Sequence, residues 1–148
     1  MVRVWDALNG TLLYILPHTN YVKSVAWSPD SKYIASSTGD ISSQGTGEHL
    51  VYIWDTNTKK TLLKYTGHND GVATVAWSPD GKLIASAGGN ISTGDGDTSV
   101  HVWDAFKGRN VLTYSGHLQM VNSVAWAKEG PVIASASWDT TVQVWKAE

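Results

Sequence analysis

An all-β fold built from a repeated unit is what this sequence predicts, and three observations predict it. Tryptophan recurs in register: Trp5, Trp54, Trp103 and Trp145 stand in VRVWD, VYIWD, VHVWD and VQVWK, at spacings of 49, 49 and 42 residues. A second series, Trp27, Trp77 and Trp126, closes VKSVAW, VATVAW and VNSVAW at spacings of 50 and 49. His18, His68 and His117 repeat the spacings of 50 and 49. Periods of about 40–50 residues belong to arrays in which each repeat is one supersecondary unit.

The elements follow in order along each repeat. VRVW, VYIW, VHVW and VQVW alternate and are rich in β-branched and aromatic residues, which favours strands. TLLYIL, TLLKYT and NVLTYS form a second set of strand segments, and the VAW segments a third. Ser28-Pro29-Asp30-Ser31 and Ser78-Pro79-Asp80-Gly81 read as tight turns, because proline fixes φ at the second position. YIASS, LIASA and VIASA supply the fourth set. No segment offers an amphipathic stripe at helical spacing over about ten residues.

Composition narrows the function classes. The chain has 148 residues, 42% of them apolar and 16% charged, with a formal net charge of −2. Such a balance gives no electrostatic reason to bind nucleic acid or an anionic membrane. Cysteine is absent, which removes disulfides, thiolate metal sites and a cysteine nucleophile together. No apolar run reaches the ~18 residues of a membrane span. MVRVWDALNG carries no secretory pattern, so the expected compartment, weakly, is the cytoplasm.

Gly-His, Ser-Pro-Asp-Gly, Ile-Ala-Ser and Trp-Asp fall in one repeat, most fully in TGHNDGVATVAWSPDGKLIASAGGN followed by VHVWD. On these residues nearly the whole chain resembles the WD-repeat β-propeller family; Pro17-His18 departs from the family's Gly-His. The resemblance implies blades of four antiparallel strands, lettered a to d outward from a central channel. Strand a then holds VAW, strand b IAS, strand c ends in Trp-Asp and strand d is TLLYIL or its counterparts. The expected domain is a partial propeller over 1–148, with repeats at about 18–65, 68–114 and 117–148 and a strand pair at 1–16. It amounts to about three and a quarter blades, with the ring completed by oligomerisation.

The resemblance also implies a hydrogen-bonded set in each blade. The matching positions are His18, Ser36, Asp40 and Trp54, then His68, Ser86, Asn90 and Trp103, then His117, Ser135, Asp139 and Trp145, with Thr38, Gly88 and Ser137, two residues nearer the turn, as the alternative hydroxyl positions. Such a set gives the indole N–H a buried acceptor. Asn90 carries no charge, so the second set is expected to be the weaker.

Antiparallel parity places the His-bearing d–a loops and the b–c loops on one face. Two b–c loops, holding ISSQGTGEHL and ISTGDGDTS, are longer than the third by eight and seven residues. On the same face Trp138 stands where Gly39 and Gly89 stand in the other repeats, and Tyr21 and Met120 each lie three residues past a loop histidine. Tyr21, Met120 and Trp138 are therefore the candidate partner-binding residues.

Other chemistry finds little support. The three repeated histidines lie one blade apart and cannot converge on one metal ion, and His49 and His101 have no second ligand at motif spacing. Asp95 and Asp97 in GDGDTS lack the EF-hand pattern. No Gly-x-Ser-x-Gly elbow and no phosphate loop occurs. Ser-His-Asp sets repeated with a tryptophan in every blade read as structural, not catalytic. The expected function is a non-enzymatic scaffold for a protein or peptide partner, with no cofactor and no metal. A calcium- or carbohydrate-binding propeller and a purely self-assembling fragment are the alternatives. As a homo-oligomer, a dimer of six blades is favoured over a trimer of nine, because small rings use about 4–8.

Overall fold

The computed structural model describes residues 1–39, 47–90, 92–94 and 96–147. Among them thirteen β-strands occur and no helix. A hairpin of β1 (Val2–Trp5) and β2 (Leu12–Leu16) comes first. Blade one is β3 (Val22–Trp27), β4 (Tyr33–Thr38), β5 (Val51–Asp55) and β6 (Thr61–Tyr65), paired in that order. Blade two is β7 (Val72–Trp77), β8 (Leu83–Gly88), β9 (Val100–Asp104) and β10 (Asn110–Tyr114). Blade three stops at three strands, β11 (Val121–Trp126), β12 (Val132–Ser137) and β13 (Val142–Lys146). Every pairing is antiparallel. The fold is thus an all-β, unclosed run of propeller blades, as the periods and turn signals predict.

Local chemistry explains the turns. In the a–b turn of blade one, Ser28 Oγ donates to Asp30 Oδ1 (2.6 Å) and accepts from Tyr33 N (2.9 Å). Ser78, Asp80 and Leu83 repeat both bonds at the same distances. The aspartate of Trp-Asp closes the c–d turn: Asp55 Oδ1 accepts from Asn57 N and Thr58 N, and Asp104 Oδ1 from Phe106 N and Lys107 N. These side chains meet backbone N–H groups that the ladder leaves unpaired.

Each blade buries its apolar face on the next. Val2, Val4 and Leu16 of the hairpin pack on Ile34, Tyr52 and Trp54. Val51, Ile53 and Tyr65 of blade one pack on Val72, Val75 and Trp103 of blade two, and Val100 and Val102 on Val121, Val124 and Ile133 of blade three. The strand-a tryptophans stitch these interfaces. Trp77 Nε1 donates to the Ala26 carbonyl and Trp126 Nε1 to the Ala76 carbonyl, each at 3.2 Å. The strand-d tyrosines add a second seam: Tyr65 stacks on Trp103 and Tyr114 on Trp145, both at 4.3 Å.

Candidate functional site

Within each blade the strand-c tryptophan, the strand-b serine and the loop histidine meet. Trp54 Nε1 donates to Ser36 Oγ (2.9 Å), Trp103 Nε1 to Ser86 Oγ (2.9 Å) and Trp145 Nε1 to Ser135 Oγ (3.2 Å). The same three oxygens lie 2.8 Å from Nε2 of His18, His68 and His117. An indole N–H can only donate, so each hydroxyl proton is free to go to Nε2, and the imidazole proton rests on Nδ1. That proton is donated to Asp97 Oδ2 from His68 (2.9 Å) and to Asp139 Oδ2 from His117 (2.8 Å). His18 Nδ1 donates instead to the Leu16 carbonyl, at 3.0 Å. Asp40 lies outside the described residues.

Asn90 requires a correction. Its side chain accepts from Ser92 N and its place beside His68 is taken by Asp97, from the far end of the same loop. Counting forward from Ser86 leads to Asn90, but counting six residues back from the strand-c tryptophan leads to Asp97 and Asp139. The long loop is inserted between the serine and the acid, so only the second count keeps register. By that count Glu48 is the counterpart in blade one, and its Oε2 accepts from Thr19 Oγ1 and Tyr52 OH, both at 3.2 Å.

The second set is also the longest, contrary to the expectation of a weak one. Ser99 Oγ donates to Asp97 Oδ1, His101 Nε2 lies 3.0 Å from Ser99 Oγ, and Tyr65 OH lies 2.8 Å from His101 Nδ1. The directions follow from the carboxylate, which only accepts: Tyr65 donates to His101, His101 to Ser99, and Ser99 to Asp97. Burial pushes the Asp97 carboxyl up, but hydrogen bonds from His68 and Ser99 outweigh it and hold the group well below the usual carboxylate range. Asp139 is likewise held low, first by the Thr141 hydroxyl and then by His117. Burial, and then neighbouring His68, lowers His101 to about 4. Tyr65 is raised to about 12 by burial and by the Asp97 charge.

His68, Asp97 and His101 also bring three potential metal ligands within 4.8 Å of one another. Spacing in the sequence gives no hint of it, since His101 is a lone strand residue there. Each of these ligand atoms already has a hydrogen-bond partner in the same relay, so the arrangement is that of a satisfied polar core. No serine here is exposed as a nucleophile beside its histidine; Ser36, Ser86 and Ser135 are all buried. Asp95 lies outside the described residues, and the Asp97 carboxylate is engaged as described.

The face bearing the histidine loops carries the remaining candidates. Tyr21 is 59% exposed and Trp138 43%. Met120 is a second correction: it is only 6% exposed. The preceding blade's loop lies across it, since Met120 N donates to the Gly94 carbonyl and the Met120 carbonyl accepts from Trp138 N (3.0 Å). The Trp138 ring covers Gly94, where an added Cβ would fall 3.0 Å from Trp138 Cε3. A residue the sequence reading passed over takes Met120's place. Leu118, next to His117, is 84% exposed, where the other repeats have Thr19 and Asn69. Its own N–H donates to Asp139 Oδ2 (3.1 Å), which turns the side chain away from the buried set.

The family model for the WD domain, G-beta repeat, matches residues 10–55, 59–104 and 108–146, the same three repeats that the tryptophans mark. The chain belongs to the WD-repeat family. Among solved structures it is similar to a crystal structure of RRP9 WD40 repeats, with a TM-score of 0.72 at 24% identity over 88% of this chain and 36% of that one. A structure of U3-55K gives the same TM-score and identity, over 88% of this chain and 37% of that one. The WD-repeat chain therefore spans a little over a third of the length of these neighbours, and the likeness is one of fold. A search of curated proteins returns no match.

Proposed function

We propose that this WD-repeat chain is a non-catalytic scaffold that presents its histidine-loop face to a protein or peptide. One observation carries the reading. The polar motif groups are turned inward and bonded to one another, whereas Tyr21, Leu118 and Trp138 stand exposed on one face. Large apolar and aromatic side chains in the open, beside backbone held rigidly by a buried network, suit recognition more than chemistry. A second copy of the chain is among the partners this reading allows, with a dimer of six blades favoured over a trimer.

The test is a peptide-display selection against the immobilised chain, followed by a change to alanine at Tyr21, Leu118 and Trp138 together. Selected peptides should lose binding to the variant while its circular dichroism is unchanged. Peptides that bind wild type and variant equally would remove this face from the reading.

A further inference from the structure

On the side away from the histidine loops, the seam between blades one and two opens into a cleft of about 300 Å³. Its walls are the a–b turns of the two blades, and its floor is aromatic. Phe106, in the c–d turn of blade two, lies edge-on against Tyr33 of blade one, ring centroids 5.2 Å apart. Tyr33 in turn stacks on Trp77 at 6.3 Å. The turn that carries Phe106 is held from behind. Asp104 Oδ1 accepts from Phe106 N (3.0 Å), and the buried Ala105 donates its N–H to the Lys82 carbonyl (3.0 Å). About half of the Phe106 side chain nevertheless stays in water. An aromatic ring fixed in place and open to a cleft is surface from which a partner gains by excluding water.

Charge decides the kind of partner. The a–b and c–d turns of blades one and two cover residues 28–33, 55–60, 78–83 and 104–109. They hold six lysines and arginines against four aspartates, an excess of two positive charges in a chain of net −2. The aspartates are committed to their own turns. Asp30 Oδ1 and Asp80 Oδ1 each accept from a serine hydroxyl at 2.6 Å and from a backbone N–H at 3.1 Å, and Asp55 and Asp104 cap their turns as described above. The lysines are not so held. Lys32 and Lys82, one on each wall, are exposed and approach their aspartates only to 3.9 and 3.8 Å. Ion pairs this open contribute little, so both ammonium groups are free to turn to a carboxylate that a partner brings. On the opposite face, the loops at 17–21, 66–71, 88–99 and 115–120 contain no lysine or arginine.

We propose that this cleft is a second docking site, taking an acidic peptide segment in which one aromatic or large aliphatic side chain is flanked by carboxylates. The apolar side chain packs on Phe106 and Tyr33, and the carboxylates on either side pair with Lys32 and Lys82. The volume lies at the lower end of the ~300–1,000 Å³ range of ligand pockets, which suits one large side chain with its flanking backbone. Lysine and aspartate alternate at the rim, which favours a peptide over a nucleic acid, whose unbroken row of phosphates would meet Asp30 and Asp80 as well. The site shares no residue with the histidine-loop face and is independent of the reading above.

Peptide-display selection on the immobilised chain, with the clones sorted by variants, tests this. One class of clones should be released by Phe106→Ala and retained when Tyr21, Leu118 and Trp138 are changed together to alanine. Aspartate and glutamate should be enriched in that class around an apolar residue. Absence of the class, or a class without acidic enrichment, overturns the proposal. For a synthetic peptide of the class, fluorescence anisotropy should show roughly tenfold weaker binding to Phe106→Ala, the effect of losing part of one buried aromatic contact. Lys32→Glu combined with Lys82→Glu should weaken binding by more than tenfold, with circular dichroism matching wild type because both side chains are exposed. Unchanged affinity in that variant overturns the proposal. So does a single-stranded oligouridylate that binds more tightly than the peptide with the same dependence on Lys32 and Lys82, in favour of RNA. Failure to recover histidine-loop clones would sink the scaffold reading and leave these results unmoved.

Discussion

His101 lies face to face with His68, the imidazole centroids 4.1 Å apart and the rings inclined by 17°. Two stacked imidazoles in one buried relay tolerate a proton on His101 poorly, and its folded-state value of about 4 lies below the ordinary 6.5. Between these two values the unfolded chain binds more protons than the folded one. Stability is therefore fully present above pH 6.5 and falls as pH drops toward 4, by up to about 3 kcal/mol. The depressed Asp97 carboxyl extends the loss further into acid. Urea unfolding at pH 7 and pH 4.5 measures the slope. His101→Gln, which copies Gln143 of blade three and can still accept from Tyr65, should flatten its upper part.

Ser86→Ala strands two buried groups at once. Trp103 Nε1 loses its acceptor and His68 Nε2 its donor, with Trp103 fully buried. The expected cost is about 2–4 kcal/mol. Ser135→Ala should cost about half as much, since Trp145 is partly open and its bond is longer, at 3.2 Å. Chemical denaturation of both variants gives the comparison.

Asp97→Asn should destabilise by about 1–3 kcal/mol, because the amide cannot receive donors from both His68 and Ser99 without turning its own N–H group toward one of them. Asn90→Ala removes a single exposed bond to Ser92 N and should cost less than about 1 kcal/mol. Equal effects in thermal melts would return Asn90 to the set.

Two turn positions carry a side chain where other repeats have glycine. Ser31 has φ of 60° against 71° for Gly81, and Lys59 has 60° against 65° for Gly108. A left-handed backbone is costly for an L-residue, while glycine pays for its freedom in the unfolded chain. Ser31→Gly and Lys59→Gly should each stabilise by about 0.5–1 kcal/mol in denaturant titrations.

Strands, turns and blade order were legible in the sequence because each rests on a local signal: alternation, a Pro-Asp turn, a tryptophan at fixed period. The polar sets were legible only in part. Ser86 keeps its spacing of 18 residues to the loop histidine, but Trp103 and the acid lie beyond an insertion, and register must be counted back from Trp103 to find Asp97. His101 was hidden because strand alternation says which side a residue faces and not what the next element brings there. Met120 was misplaced for a related reason. Its burial depends on Gly94 and Trp138, which approach it from another blade and a later turn.

Blade two lies between blades one and three, whereas blade one has only the two-stranded hairpin on its outer face and blade three is covered on one face. Among the described residues the main contacts between elements run from neighbour to neighbour, so the chain behaves as a short linear array whose members need not open together. Amide hydrogen exchange should accordingly be slowest in β8 and β9 and rise in steps toward β1 and β13. A protease arriving at the isolated chain would find its first cuts at the ends, leaving the middle sheet as the last folded remnant.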